Sequence, residues 1–435
     1  MRGMEDKKSL IIVAIFSILL AVGVAGSQSL YWQLPIVAGA VMLLGVAFFV
    51  FLWTDRSVLL IFVIAFLGIF GYGSRLLMVV PLVASSLCLS LVVNYQRGRI
   101  IPTMFVYGIL IPAITLWVGC AIFGRGIDAN ILLYHALALL LMAFVVGVAE
   151  SSSEIFESIN VMVISGLCLW GGVEGYFHFP SRLEGPFGSA TVYGAVLALF
   201  LTGDILTKIY RKMMNEYSIL LWILGFFVLL LTGTRSAALA MGLLFVIAPL
   251  LSPHIPSRWA RLKIVIVAFF IAGLAAMLLW YVMPDTFVIK KTFGGIDVAK
   301  NKLDGSSAGR LVAWFVAFRE YSINPAFGIG IGQFPLAVSK YFSGFTLVHA
   351  HNVFIVTMVE TGTYGMLHLI AMMWAGWIAL GKIVDRIQRR IYIGVMLVML
   401  FLGQFDNFPL YPSAVLFASI VVGVIIKASA QNNGS

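Results

Sequence analysis

The sequence predicts an all-α membrane protein: a polytopic bundle of about 12–14 transmembrane helices with one larger hydrophilic loop on the outer side. Three observations lead there. Of 435 residues, 61% are hydrophobic and only 11% charged, with a mean hydropathy of +1.04. Soluble domains run nearer half apolar and a quarter charged, so soluble enzymes, disulfide scaffolds and disordered chains are excluded. Unbroken apolar runs repeatedly reach the roughly 20 residues that a hydrocarbon core of about 30 Å requires. No series of alternating ten-residue strands is present, and half-polar barrel strands could not reach this hydropathy.

In chain order, the apolar runs fall at 9–26, 33–53, 57–73, 76–93, 101–121, 129–149, 158–177, 187–207, 218–232, 236–251, 264–283, 350–379, 391–406 and 412–427. Two or three are short, and neighbours such as 57–73 and 76–93 could be re-entrant or merged. The first run follows Arg2, Lys7 and Lys8 and so resembles a signal peptide. It lacks a clear small-residue cleavage pattern and another span follows at once, so it reads as the first helix. Cys88, Cys120 and Cys168 all lie inside apolar runs, as small core residues do. No repeat of 20 to 50 residues is visible, which argues against an inverted-repeat transporter.

Sidedness follows from Lys and Arg, which collect in short cytoplasmic loops. With a cytoplasmic N-terminus, seventeen such cations fall inside, among them Arg97, Arg99, Lys208, Arg211, Lys212, Arg258, Arg261, Lys263, Arg386, Arg389 and Arg390. The short outside loops hold only Arg75, Arg125, Arg182 and Arg235. Both termini are then cytoplasmic. The chain divides into transmembrane helices over 1–283, a large outer loop over 284–349 and C-terminal helices over 350–435. Within the loop, 306–322 places Leu311, Trp314, Phe315 and Phe318 at helical spacing, which predicts a short amphipathic helix lying on the outer membrane surface. The following NPAFGIGIGQF reads as an irregular turn, since its glycines lack the strand and helix context of a nucleotide-binding loop.

The outer face then carries the residues of interest: Arg182 in HFPSRLEGPFGSA, Arg235 in LTGTRSAAL, Arg310 at the start of the surface helix, and His349, His351 and Asn352 in VHAHNVF. An arginine at the rim of apolar helices is tolerated chiefly beside an anion or a water-filled cavity, and its guanidinium grips phosphate with paired hydrogen bonds. Each has a plainer reading. Arg182 could be a loop cation beside Glu184, Arg310 could solvate its helix, and a histidine at a helix start is commonly a rim residue. Arg235 sits in a turn too short to let it reach far. Glu360 lies nine residues beyond His351, about 13 Å deeper by helix rise, which suits a structural polar contact better than a catalytic one. Asp406 and Asn407 are possible orienting groups. No carboxylate pair or metal-binding cluster lies on this face, so neither metal nor cofactor is expected.

At these residues the chain resembles the O-antigen ligase and polymerase superfamily. His351-Asn352, nine residues, Gly362 and then Gly365 is similar to the ligase family's His-Asn pattern, and Arg235 through Leu239 to its element of Arg, three residues and Leu. RLEGPFGSATVYG and GRLVAWFVAF with NPAFGIGIGQF also look like family segments, so the likeness runs from about Arg182 to Gly365. The resemblance implies a multi-pass protein of the bacterial inner membrane that transfers a glycan from undecaprenyl diphosphate to a sugar hydroxyl at the periplasmic face. A diphosphate leaves readily, so the needs are charge stabilisation and a base. Arg235 and Arg310 would hold the diphosphate, with Arg182 a weaker third. His351 would be the base, imidazole being suited to that task near neutral pH, although His349 leaves open which ring acts. Direct displacement at the anomeric carbon would invert configuration.

The acceptor is open. Ligation to lipid A core is the first reading, repeat-unit polymerisation the second, and transfer to protein hydroxyls a third. A lipid-linked glycan transporter or flippase is the alternative of another class; it would be marked by midplane ionisable groups and broken helices, for which Glu174 and Glu360 are the candidates. The net charge of +10 agrees with anionic lipid partners.

Overall fold

The computed structural model describes residues 105–123, parts of 135–146, 152–178, 183, 189–267 except 256, 270, 296–297, 302–303, 305–342, 350–405 and 412–431. The expected spans at 9–26, 33–53, 57–73 and 76–93, and Arg182, His349, Asp406 and Asn407, lie outside them. The described residues form an all-α polytopic bundle. A π-helical turn, Val106–Leu110, leads into α1 (Ile111–Phe123); then come α2 (Ser152–His178), α3 (Ala190–Arg211), α4 (Glu216–Thr232) and α5 (Arg235–Leu251). After them come α6 (Gly305–Ile323), α7 (Phe334–Tyr341), α8 (Val353–Lys382), α9 (Arg386–Phe405) and α10 (Pro412–Gln431). The sole strand pairing among the described residues joins Ile296 to Leu303 and Asp297 to Lys302.

Among the described residues, five stretches are long and apolar enough to cross a membrane: Val106–Phe123, Ile159–Tyr176, Ala190–Arg211, Val353–Lys382 and Arg386–Gln404. Large apolar side chains such as Ile223, Phe227, Leu367 and Trp374 face outward. So broad an apolar exterior is foreign to a soluble monomer and suits lipid. The core sits around α3, buried along nearly its whole length and packed by α2, α4, α5 and α9. The chain turns sharply on either side of α4: Lys212 ends α3 in a left-handed conformation, Asn215 caps α4, and left-handed Gly233 ends it.

The bundle has two distinct ends. At one, Arg211 pairs with Asp385 at 3.6 Å, and Arg390 Nη1 donates to the carbonyl of Leu251 at 3.3 Å, so the ends of α3 and α5 meet the start of α9. Helices α5 and α9 therefore run antiparallel. At the other end, Asn352 Nδ2 donates to the Gln404 carbonyl at 3.0 Å, joining the start of α8 to the end of α9.

Helix α8 is broken at Gly362, whose φ of 64° and ψ of −162° interrupt the helical ladder. The segment between α6 and α7 replaces the lost bonds. Thr363 N–H and Tyr364 N–H donate to the carbonyls of Pro325 and Ala326, while those of Val359 and Glu360 accept from Ile329 and Gly330. Backbone contact this close requires glycine on both sides. A Cβ on Gly328 would lie 2.5 Å from the Glu360 carbonyl carbon, and one on Gly362 only 2.4 Å from the Ala326 oxygen. The irregular turn expected over NPAFGIGIGQF is present, with Gly328, Gly330 and Gly332 all at positive φ.

The expected helix is also present as α6. It runs beside the first third of α8 in the same direction, tied by Trp314 to Ala350 and by Tyr321 to Thr363. The face packed inward is Ala313, Val316, Ala317 and Glu320, whereas Leu311, Phe315 and Phe318 are exposed. Small side chains win the inner face because helices approach closely only where side chains are short.

Candidate functional site

His351 lies immediately before α8 and adopts φ of 52°, one of two positive-φ residues other than glycine among those described. Histidine is among the residues enriched in this region, yet the conformation persists only where neighbours impose it. They do so on both sides. Before His351, the Ala350 carbonyl accepts from Trp314 Nε1 at 2.9 Å. After it, Asn352 Oδ1 accepts from the N–H groups of Phe354 and Ile355 at 2.9 and 3.1 Å, a helix cap, while Nδ2 reaches Gln404. Both ends of the Asn352 side chain are thus engaged within the protein. Its observed contacts hold the His351 turn.

Arg310 is one helical turn before Trp314 on α6, on the same face, so it stands about 6 Å along the helix from the residue bonded to the His351 turn. Arg235 is the first residue of α5. The preceding turn is built by Thr232, whose hydroxyl donates to the Leu229 carbonyl, by left-handed Gly233, and by Thr234, whose hydroxyl donates to the Ala190 carbonyl at 2.8 Å. Thr234 consequently makes no side-chain cap, and the first turn of α5 contains no acid. A guanidinium beside such a helix start is an anion-receptive arrangement, since the helix dipole adds positive potential there. Leu183, next in sequence to Arg182, is buried and donates its N–H to the Leu231 carbonyl at 3.3 Å, against this same turn.

Helix rise sets Arg235 level with the His351 turn. A Cβ on Gly394 in α9 would lie 3.3 Å from Ile247 in α5, which fixes the two helices in register. Ile247 is about 18 Å along α5 from Arg235, and Gly394 about 15 Å along α9 from Gln404, at 1.5 Å per residue. Arg235 and Gln404 therefore reach the same end of the bundle, and Gln404 is bonded to Asn352. Arg235, Arg310 and His351 are each half-buried. Arg235 is carried by α5, and His351 and Arg310 by the paired α8 and α6.

Glu360 is a structural contact, as its depth suggested. It is buried, and its Oε1 accepts from the Phe334 N–H at the start of α7 at 3.2 Å, beside the α8 break. Gly365 is required by its own helix, since a Cβ there would overlap Thr361. Glu174 accepts from Trp170 Nε1 at 3.2 Å. Among the described residues, no group of three His, Cys, Asp or Glu side chains gathers as a metal site.

Sequence reading missed several polar groups. Trp314 and Gln404 escaped because their role is a long-range contact. Asp204 had a visible signal, a lone carboxylate in an apolar run. It is fully buried, accepts from Trp222 Nε1 at 2.7 Å, and lies on α3 one turn from Lys208, which pairs with Glu157. Glu320, also buried, receives Lys340 Nζ at 3.1 Å, and this bond holds the Lys340 ammonium pKa above its usual range.

The fold and this polar end define a multi-pass helical membrane protein whose candidate chemistry lies where α5, α6 and α8 begin. Residues 219–370, roughly a third of the chain, match the family model described as O-antigen ligase, from within α4 to beyond the break in α8. That stretch contains Arg235, Arg310 and His351 and is similar to O-antigen ligase domains. Comparison with curated proteins finds no match.

Proposed function

We propose that the chain transfers a glycan from undecaprenyl diphosphate to a sugar hydroxyl at the His351 end of the bundle, with lipid A core as the first acceptor and a growing polysaccharide as the second. The observation that supports this reading is that Arg235, Arg310 and His351, carried by helices far apart in sequence, stand half-buried at one end of the bundle, inside the matched stretch. Arg235 and Arg310 bind the diphosphate oxygens; Arg182 adds a third cation. The His351 ring accepts the proton of the incoming hydroxyl, whose oxygen bonds to the anomeric carbon as that carbon's bond to the diphosphate oxygen breaks. The electron pair leaves on the diphosphate, where the guanidiniums stabilise it. Attack from the opposite side inverts the anomeric centre. His349, two residues earlier, is the alternative base or a substrate contact. Neither metal nor cofactor enters this scheme. The His351 end faces the periplasm of a bacterial inner membrane, consistent with the cationic opposite end facing the cytosol.

The test uses purified protein, a lipid-linked glycan and lipid A core. His351→Ala, Arg235→Ala and Arg310→Ala should each nearly abolish core modification with normal membrane insertion. Full transfer by Arg235→Ala removes that residue from the site, and chain lengthening without core modification selects the polymerase. Buried Asp204 with the Glu157–Lys208 pair, together with the broken α8, favours one other reading, transport of a lipid-linked glycan. Movement of lipid-linked glycan across liposomes that is lost in Asp204→Asn, with no glycan transfer by the unaltered chain, would establish it.

A further inference from the structure

The opposite end of the bundle gathers cations beyond what its internal contacts use. Four are occupied: Lys208 by Glu157, Arg211 by Asp385, Arg390 by the Leu251 carbonyl, and Arg261 by the carbonyls of Leu250 and Ile255 at 3.0 and 2.8 Å. His254 Nε2 meets the Tyr210 carbonyl at 2.8 Å and closes α3 onto the end of α5. These bonds draw the ends of α3, α5 and α8 and the starts of α9 and of the helical stretch 258–267 into one patch. Six further cations border it: Lys212, Arg258, Lys263, Lys382, Arg386 and Arg389. Among the described residues no carboxylate pairs with any of them. Among the acids whose side chains are described at this end, Asp385 is already bonded to Arg211 and caps α9, Glu157 is paired with Lys208, and Glu216 stands at the start of α4.

The surroundings indicate what neutralises this charge. Trp259 is 73% exposed and Tyr217 83%, amphipathic rings of the kind that sit at headgroup level. Beyond Arg258 and Lys263, the same helical stretch exposes Ile264, Ile266 and Val267, and Phe270 is exposed as well. A ligand fitting both parts carries a phosphate for the cations and long apolar chains for the helix face. We propose that this end forms a binding site for an anionic glycerophospholipid, with its headgroup among Arg258, Arg386 and Arg389 and its acyl chains along Ile264–Phe270. Paired hydrogen bonds from guanidinium to phosphate give such a site preference over a diffuse surface potential. It is independent of the glycan chemistry at the other end.

The test uses the full chain purified in neutral detergent, titrated separately with phosphatidylglycerol, phosphatidylcholine and inorganic phosphate, with binding read by native mass spectrometry and by melting temperature. Phosphatidylglycerol should be retained and raise the melting temperature by a few degrees, with phosphatidylcholine and inorganic phosphate doing neither. Joint substitution Arg258→Gln, Arg386→Gln and Arg389→Gln should weaken retention on the order of a hundredfold at low salt, given the usual attraction per cation. Arg319→Gln, which removes one cation at the opposite end, should leave retention unchanged. The proposal is overturned if both lipids bind alike, if inorganic phosphate reproduces the shift, if Arg319→Gln weakens retention as much as the triple substitution, or if the triple variant melts as before without lipid yet retains phosphatidylglycerol normally.

Discussion

His351 occupies a backbone conformation that disfavours side chains, and the protein maintains it with three neighbours: Trp314, Asn352 and Gln404. Glycine adopts that conformation without the Cβ penalty of about 1 kcal/mol or more. His351→Gly should therefore be more stable than His351→Ala by roughly 1 kcal/mol in thermal unfolding, while both lose glycan transfer. An alanine variant as stable as the glycine one would show that the left-handed turn carries no strain. Asn352→Ala removes a cap and the tie to α9 together, and a loss of about 1–2 kcal/mol is expected from calorimetry. Arg235 meets a sterner geometric demand, because lysine keeps the charge but not the paired donors. Arg235→Lys should restore transfer only partly relative to Arg235→Ala, read as initial rates with the same lipid-linked donor.

Among the elements, the broken α8 explains features that the sequence showed but did not connect. The apolar runs were legible because a span is decided locally, by about 20 residues of composition, and the described helices other than α6 and α7 overlap those runs. The α8 break was not legible as such, since Gly362 interrupts the helix only because the 325–330 segment supplies the missing hydrogen bonds from elsewhere in the chain. Likewise the inward face of α6 was chosen by tertiary packing over hydrophobic pattern. Below Gly362, α8 runs about 20 residues to Lys382, roughly 30 Å, so this part alone matches a hydrocarbon core. Gly362→Ala would place a Cβ against the Ala326 carbonyl at positive φ, costing about 3 kcal/mol or more; hydrogen exchange should report early opening of α6 and α7. The Lys340–Glu320 bond gives the α6–α7 hairpin a pH dependence. Because Glu320 raises the folded-state pKa of Lys340, its contribution is present below the ordinary value of 10.5 and disappears as pH rises through the raised folded value. Alkaline titration followed by Trp314 fluorescence should show loosening there that Lys340→Met lacks.

At the scale of the whole molecule, charge and candidate chemistry separate along the bundle. The motifs that pointed to Arg235, Arg310 and His351 were readable one at a time; that their helices begin at one level depends on the α5–α9 register and on the Asn352–Gln404 bond, which no local pattern encodes. Sidedness turns this separation into a prediction. Short loops rich in Lys and Arg stay cytoplasmic, so the Arg211 end should face the cytosol and the His351 end should face outward. Tyr217, 83% exposed, marks the first end, and Leu311, 54% exposed, marks the α6 side of the second. In a background with Cys88, Cys120 and Cys168 replaced by serine or alanine, Leu311→Cys should react with an impermeant maleimide in cells whose outer barrier alone is opened. Tyr217→Cys should react only after the inner membrane is permeabilised. Labelling of both from one side would contradict the antiparallel bundle itself. Labelling in the reverse order would keep the bundle but place the guanidiniums and imidazole in the cytosol, where a periplasmic transfer could not be their work.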